Sequence, residues 1–123
     1  MRSLLLLHSF CLLIRLELMM RFQSLESIHS LVRRQAIAPK IQLAPDAICH
    51  AIDLACAFYA KPVLCLQRSA ATALLLRRCG WKSEMIVGAQ LLPFRSHAWV
   101  EVDGRVVNDK PYVNEIYRTL DRF

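Results

Sequence analysis

The chain opens on an apolar stretch. Leu4 to Ile14 is interrupted only by His8 and Ser9, and Arg15, Glu17 and Arg21 follow. The uncharged part is shorter than the ~20 residues a spanning helix needs. It has the weakly positive start of a signal peptide, but no small-residue cleavage site follows. Glu17 and Arg21 stand four apart, as on an exposed helix face. We expect a hydrophobic helix that packs on the domain, on a partner protein or on a membrane surface, with an uncleaved anchor as the alternative. Prolines break the helical pattern at Ala38-Pro39-Lys40 and at Ala44-Pro45.

Beyond the breaks the periodicity sharpens. Pro45-Asp46 is a good helix start, combining a fixed φ with negative charge. Ile48, Ile52, Ala55, Cys56 and Tyr59 then share one helical face. A second helix is predicted over 63–79, after Lys61-Pro62, with Gly80 just past its end. From residue 83 the pattern turns to strands. Met85 to Gly88 reads as a short buried strand and Pro93-Phe94 as a bend. Ser96 to Val102 and Arg105 to Asp109 form a hairpin about Asp103-Gly104. A short helix is predicted from Val113 to Leu120. Helices followed by a small antiparallel sheet make an α+β fold. Residues 1–44 read as a hydrophobic helical arm and 45–123 as the domain proper.

Composition narrows the picture. The 123 residues suffice for one core, and 55% are hydrophobic against 21% charged, so the chain is globular. Its net charge of +6 admits an anionic partner. The basic residues are scattered, however, and no run of them interleaves with aromatics, which argues against nucleic acid. Arg33-Arg34 and Arg77-Arg78 fit the last turns of helices, facing the negative end of the dipole. The five cysteines are odd in number and contain no C-x-x-C, so they read as reduced thiols of a cytosolic protein. Cys49 and His50 would lie ~100° apart on a helix, and no metal site is expected.

Three residues carry candidate chemistry. Cys65 falls in the first turn of the predicted helix 63–79, where unpaired N–H groups and the positive dipole end meet. Thiols so placed are favoured as thiolates, the reactive form, and the same N–H groups suit an oxyanion. The alternative is a buried structural cysteine; Cys49, Cys56 and Cys79 fall in slots where no activation is expected. On the strand, His97, Trp99 and Glu101 point to one face and Ala98, Val100 and Val102 to the other. The hairpin register decides whether Asp109 meets His97. A two-residue Asp103-Gly104 turn pairs Val102 with Arg105 and sets Ala98 opposite Asp109. A three-residue loop with a Gly104 bulge pairs Glu101 with Arg105 and sets His97 opposite Asp109. Catalysis by a Cys–His–Asp set predicts the bulged loop. His97 would then serve as base and Asp109 would orient its ring.

These residues resemble a known family. Cys65-Leu66-Gln67-Arg68-Ser69, the run Leu74 to Gly80, Pro93-Phe94, His97-Ala98-Trp99-Val100-Glu101-Val102-Asp103-Gly104 and Val106-Val107-Asn108-Asp109 are similar to the transglutaminase-like peptidase of lasso peptide biosynthesis. The resemblance covers about residues 60–123 and corresponds to the C-terminal domain of microcin-processing proteins. It implies a transglutaminase-like, papain-like core in which Cys65 is nucleophile, His97 base and Asp109 orienting acid. It also implies removal of a leader from a ribosomal precursor peptide through a Cys65 thioester. The chain is expected to be the stand-alone peptidase form, partnered by a small leader-binding protein and followed by an ATP-dependent, asparagine-synthetase-like cyclase. No cofactor is expected on this chain, which has three glycines and no phosphate-binding loop. Arg68 is expected either to bind substrate or to brace the fold, and Trp99 to shield the dyad or fill the core. Gln67 is a poor oxyanion donor. A cytoplasmic location is expected, with lipid or partner contact through residues 4–22. The alternatives are an acyl transferase using the same thioester and a non-catalytic partner-binding protein.

Overall fold

The computed structural model describes residues 2–39, 41 and 43–123, with Arg2 described by its backbone alone. Lys40, in the first proline break, lies outside the described residues. Helices α1 (Arg2–Phe22), α2 (Leu25–Arg34), α3 (Pro45–Ala57) and α4 (Cys65–Arg78) precede strands β1 (Ser83–Leu91), β2 (Phe94–Val102) and β3 (Arg105–Val106). A single turn, α5 (Val113–Ile116), and a last strand, β4 (Arg118–Arg122), complete the chain. The sheet has the order β3-β2-β1-β4, and every pairing is antiparallel. This is the expected α+β plan.

The sheet divides the interior. Met85, Val100 and Val102 join one core with the helices, which contribute Leu12, Leu13, Leu16, Ile28, Val32, Ile48, Ile52, Ala70 and Leu74. Residues 1–44 therefore supply α1 and α2 to the same core as α3 and α4. Each fully buried Leu or Ile contributes about 1.5–3 kcal/mol relative to exposure. On the other face Ile86 and Trp99 pack with Val113 of α5. That division follows the alternation read along β2.

Helix α4 ends as its sequence suggests. Gly80 has a φ of 92°. Its N–H donates to Arg77 O and the Trp81 N–H to Leu76 O, which satisfies the last carbonyls in a Schellman motif. Helix α1 is long and apolar enough over Ser3–Phe22 to cross a membrane by length and composition. One side of it, with Ser9, Leu12, Leu13 and Leu16, is buried against the domain. Glu17 does not pair with Arg21 on an exposed face. It accepts from Tyr59 Oη at 2.7 Å and pairs with Lys61 Nζ at 3.3 Å, pinning α1 to the α3–α4 connection.

Two expectations from the sequence need correction. The predicted helix from Val113 to Leu120 stops at Ile116, and the remainder is β4. Without β4, the outer backbone groups of β1 would lack partners, whereas β4 and the C-terminal residue supply them; Met85 and Phe123 exchange both backbone bonds. Tertiary pairing thus overrides the helical spacing of Ile116, Tyr117 and Leu120. The β2–β3 loop is not bulged either. Val102 pairs with Arg105 and Glu101 with Val106, which makes a two-residue turn. Asp103 (φ 53°) and Gly104 (φ 78°) both take the left-handed conformation such a turn demands.

Candidate active site

The two-residue register alone would turn Asp109 away from His97. The chain avoids that by leaving the ladder early. Strand β3 ends at Val106, the Val107 N–H donates to Val100 O, and residues 107–109 bend. The next acceptor in the ladder is a side chain: Asn108 Oδ1 takes the Val100 N–H at 2.7 Å. Its Nδ2 donates to Ser69 Oγ at 3.1 Å, and Ser69 Oγ donates to Ala98 O at 2.9 Å. Arg68 donates through Nη2 to the Asn108 carbonyl and pairs with Asp53 at 3.4 Å. Asn108 is buried, so its amide fixes the bend with little solvent competition. Asp109 then reaches His97, and Nε2 and Oδ2 lie 2.5 Å apart. The dyad geometry is the one anticipated, although the loop that produces it is different.

The contacts of His97 distinguish its two nitrogens. Nε2 faces Asp109, so the carboxylate holds the proton there and leaves Nδ1 as the acceptor. The ring centroid lies 5.0 Å from that of Tyr117 and 6.2 Å from that of Trp99, with which it stacks. Trp99 is fully buried, and its Nε1 donates to Glu101, which in turn pairs with Arg122. It is therefore a core residue that also walls one side of His97. The wall depends on Gly88, directly across the ladder from His97. A Cβ there would stand 2.8 Å from the Trp99 ring and 2.9 Å from Arg118 O.

Asp109 is tuned by its setting. Burial alone would raise its carboxyl, but the bonds from His97 and the Lys110 N–H, with the charges of His97 and Arg68, outweigh burial and hold it below the ordinary carboxylate value. A carboxyl depressed in the folded state adds stability above its unfolded value of ~3.9, and that stability is lost as pH falls through the folded value. The Asp109→Asn variant should therefore melt lower than the parent at pH 7. The gap should close in acid, below about pH 4, as thermal unfolding at several pH values would register. A gap that stays constant down to pH 2 would contradict the assignment.

Cys65 is the first residue of α4 and is exposed, unlike the buried Cys49 and Cys79. Burial pushes the Cys49 thiol up to about 12, with Asp53 and Asp46 adding to the effect. It also raises Cys56 and Cys79. The residue before Cys65 is Leu64, which gives no side-chain cap, and the first turn holds no acid. The N–H groups of Cys65, Leu66 and Gln67 thus keep no side-chain partner at the helix start. Gln67 is occupied elsewhere, its Nε2 donating to Leu13 O at 2.8 Å.

The helix and strand run side by side in the same direction. Ser69 meets Ala98, and Ala73 O accepts from Ser83, the ladder partner of Val102. One turn back from Ser69 is about 6 Å of helix, and two residues of strand are about 6.6 Å. Cys65 therefore opens α4 toward the end of β2 that carries Ser96 and His97. Among the described residues no hydrogen bond joins Cys65 to His97.

Sequence reasoning missed Asn108 and Tyr117. Asn108 stood inside the quoted motif, but its role needs the bend. Tyr117 was assigned to a helix. Among the described residues no group of three or more His, Cys, Asp or Glu converges to hold a metal ion.

Four helices on one face of an antiparallel sheet, with a cysteine opening the helix that packs on β2 and a histidine of β2 paired with Asp109, make a mixed α+β protein. The profile of the transglutaminase-like superfamily matches residues 10–122, and the chain belongs to that superfamily. The chain is also similar to the microcin J25-processing protein McjB of Escherichia coli, at 37% identity over 51 residues. That stretch is 42% of this chain and spans only about a quarter (24%) of the relative. No solved structure matches.

Proposed function

We propose that this protein is a cysteine peptidase that removes the leader from a ribosomally made lasso peptide precursor. The observation that carries the reading is the His97–Asp109 pair, held by Asn108 at the end of β2 toward which Cys65 opens α4. The likeness to a microcin-processing protein supplies the substrate class.

In this reading His97 Nδ1 takes the Cys65 proton as substrate closes the gap, since such bonds often tighten only in the complex. Sγ attacks the scissile carbonyl carbon, and N–H groups at the start of α4 meet the oxyanion. The C–N bond breaks, and His97 returns the proton to the leaving amine. Water then attacks the thioester carbon, His97 accepts the water's proton, and the C–S bond breaks to free the acid and Cys65. Asp109 keeps the ring oriented and stabilises the imidazolium. Arg68 braces the Asn108 bend rather than touching the reacting atoms. A separate leader-binding protein presents the precursor in the cytoplasm, and an ATP-dependent cyclase acts afterwards.

The test mixes the protein with a lasso peptide precursor, with and without a leader-binding protein, and reads masses. The expected result is two cleavage products, plus an acyl adduct on the Cys65 peptide after rapid acid quench. Addition of a primary amine that yields an amide product at the expense of the acid would support the acyl-transfer alternative.

A further inference from the structure

Strand β2 has one edge that its neighbour does not cover. Strand β3 reaches only Glu101 and Val102, and Val107 and Asn108 continue the cover only as far as Val100. The side on which each residue bonds follows from the ladder. Met85 exchanges both its backbone bonds with Phe123, on the β4 side of β1, so the Met85–Val100 pair is not bonded to itself. Val100 accordingly turns its N–H and C=O outward, to Asn108 and Val107. Residues two and four further back share that direction. The Ala98 carbonyl is taken by Ser69. By that alternation the N–H and C=O of Ser96 and Phe94 face outward, beyond the stretch that β3 and residues 107–108 cover, and both residues are exposed. This open edge adjoins His97, at the end of β2 toward which α4 begins with Cys65. Its far end carries exposed Leu91, Leu92 and Phe94, at 74%, 94% and 70% exposure.

We infer that the open edge of β2 at Phe94 and Ser96 is the substrate-binding rail: the precursor binds as an added strand, paired through its main chain with Ser96, which carries its scissile bond past Cys65 and His97. Main-chain pairing supplies affinity with little dependence on side chains, and adjoining pockets supply preference. Leu91, Leu92 and Phe94 favour apolar side chains at the end of the added strand away from the dyad. The inference rests on the proposed peptidase reading and names how that site holds its substrate.

The Ser96→Pro variant removes the outward N–H. Ladder alternation turns the Ser96 N–H away from its β1 partner Ala89, and proline is tolerated at such edge positions. With melting behaviour as the fold check, Ser96→Pro should raise KM and lower kcat/KM for the precursor about tenfold or more, as expected for a lost main-chain bond plus a blocked rail. If Ser96→Pro unfolds, the same question is put to the substrate. N-methylating single amides around the cleavage site should depress cleavage at the position that pairs with Ser96 O. In the Cys65→Ala protein, the precursor should slow hydrogen exchange at the Ser96 and Phe94 amides. Unchanged exchange there, or a folded Ser96→Pro enzyme with parental KM, overturns the rail. Protection of those amides in a protein that never cleaves the precursor would keep the rail and defeat the peptidase reading.

Discussion

A Cys65→Ala variant is expected to keep its fold and lose nearly all cleavage of the precursor. Cys65 is exposed and its side chain supports nothing in the core, so its melting temperature should move little; exposed substitutions cost within about 0.5 kcal/mol. The chemistry has no second route. Without Sγ no thioester forms, and His97 with the helix-start N–H groups alone should leave a rate lower by at least about a thousandfold, the scale seen when a nucleophile is removed from a triad. Cys49→Ala and Cys56→Ala should retain cleavage, because burial keeps both thiols protonated. Mass spectrometry of the precursor after overnight incubation distinguishes these outcomes. Cleavage by Cys65→Ala at the parental rate would remove the assignment of the nucleophile, whatever happens at His97.

The placement of the candidate residues was legible because each sits in a strong local signal. Lys61-Pro62 and Gly80 bracket α4 and so place Cys65 at its start. Alternation from Ser96 to Val102 sets the facing of His97 and Trp99, and the two apolar clusters on either face of the sheet divide accordingly. What joins them was not legible. A ladder bond made by the Asn108 side chain cannot be read from alternation, since it depends on Ser69 and Arg68 arriving from a helix some 40 residues earlier. The bulged loop was inferred from the need for a dyad. The chain instead satisfies that need by the bend after a standard Asp-Gly turn. At the C-terminus, one helical turn and the pairing demand of β1 compete over the same residues, and the long-range demand prevails. Both misses are cases in which partners distant in sequence decide the local geometry.

Arg77 is the clearest such case, and its removal should cost much of the fold's stability. Read from sequence, it is one of two basic residues facing the dipole at the end of α4. Arg78 is exposed there, but Arg77 is buried. Its guanidinium donates through Nε and Nη2 to Ser83 O at 3.0 and 2.7 Å, through Nη2 to Phe123 O at 2.9 Å and through Nη1 to Val32 O. One planar group thus joins the end of α2, the start of β1 and the C-terminal residue. Burial lowers its proton affinity, partly offset by Glu84, yet an arginine stays charged, and the carbonyls compensate its desolvation. In Arg77→Ala these bonds vanish and a void replaces the side chain. Val32 O and Phe123 O keep the N–H groups of Gln35 and Met85, which limits the penalty to about 3 kcal/mol. That corresponds to a drop on the order of 10 °C in melting temperature. Arg77→Lys should recover less than half of it, because a single ammonium cannot reach three diverging carbonyls in the fork geometry. Differential scanning calorimetry of the two variants decides the matter. An Arg77→Ala protein melting within about 2 °C of the parent, well under the shift expected for 1 kcal/mol, would mean that the packing of α2, β1 and the C-terminus holds without the arginine.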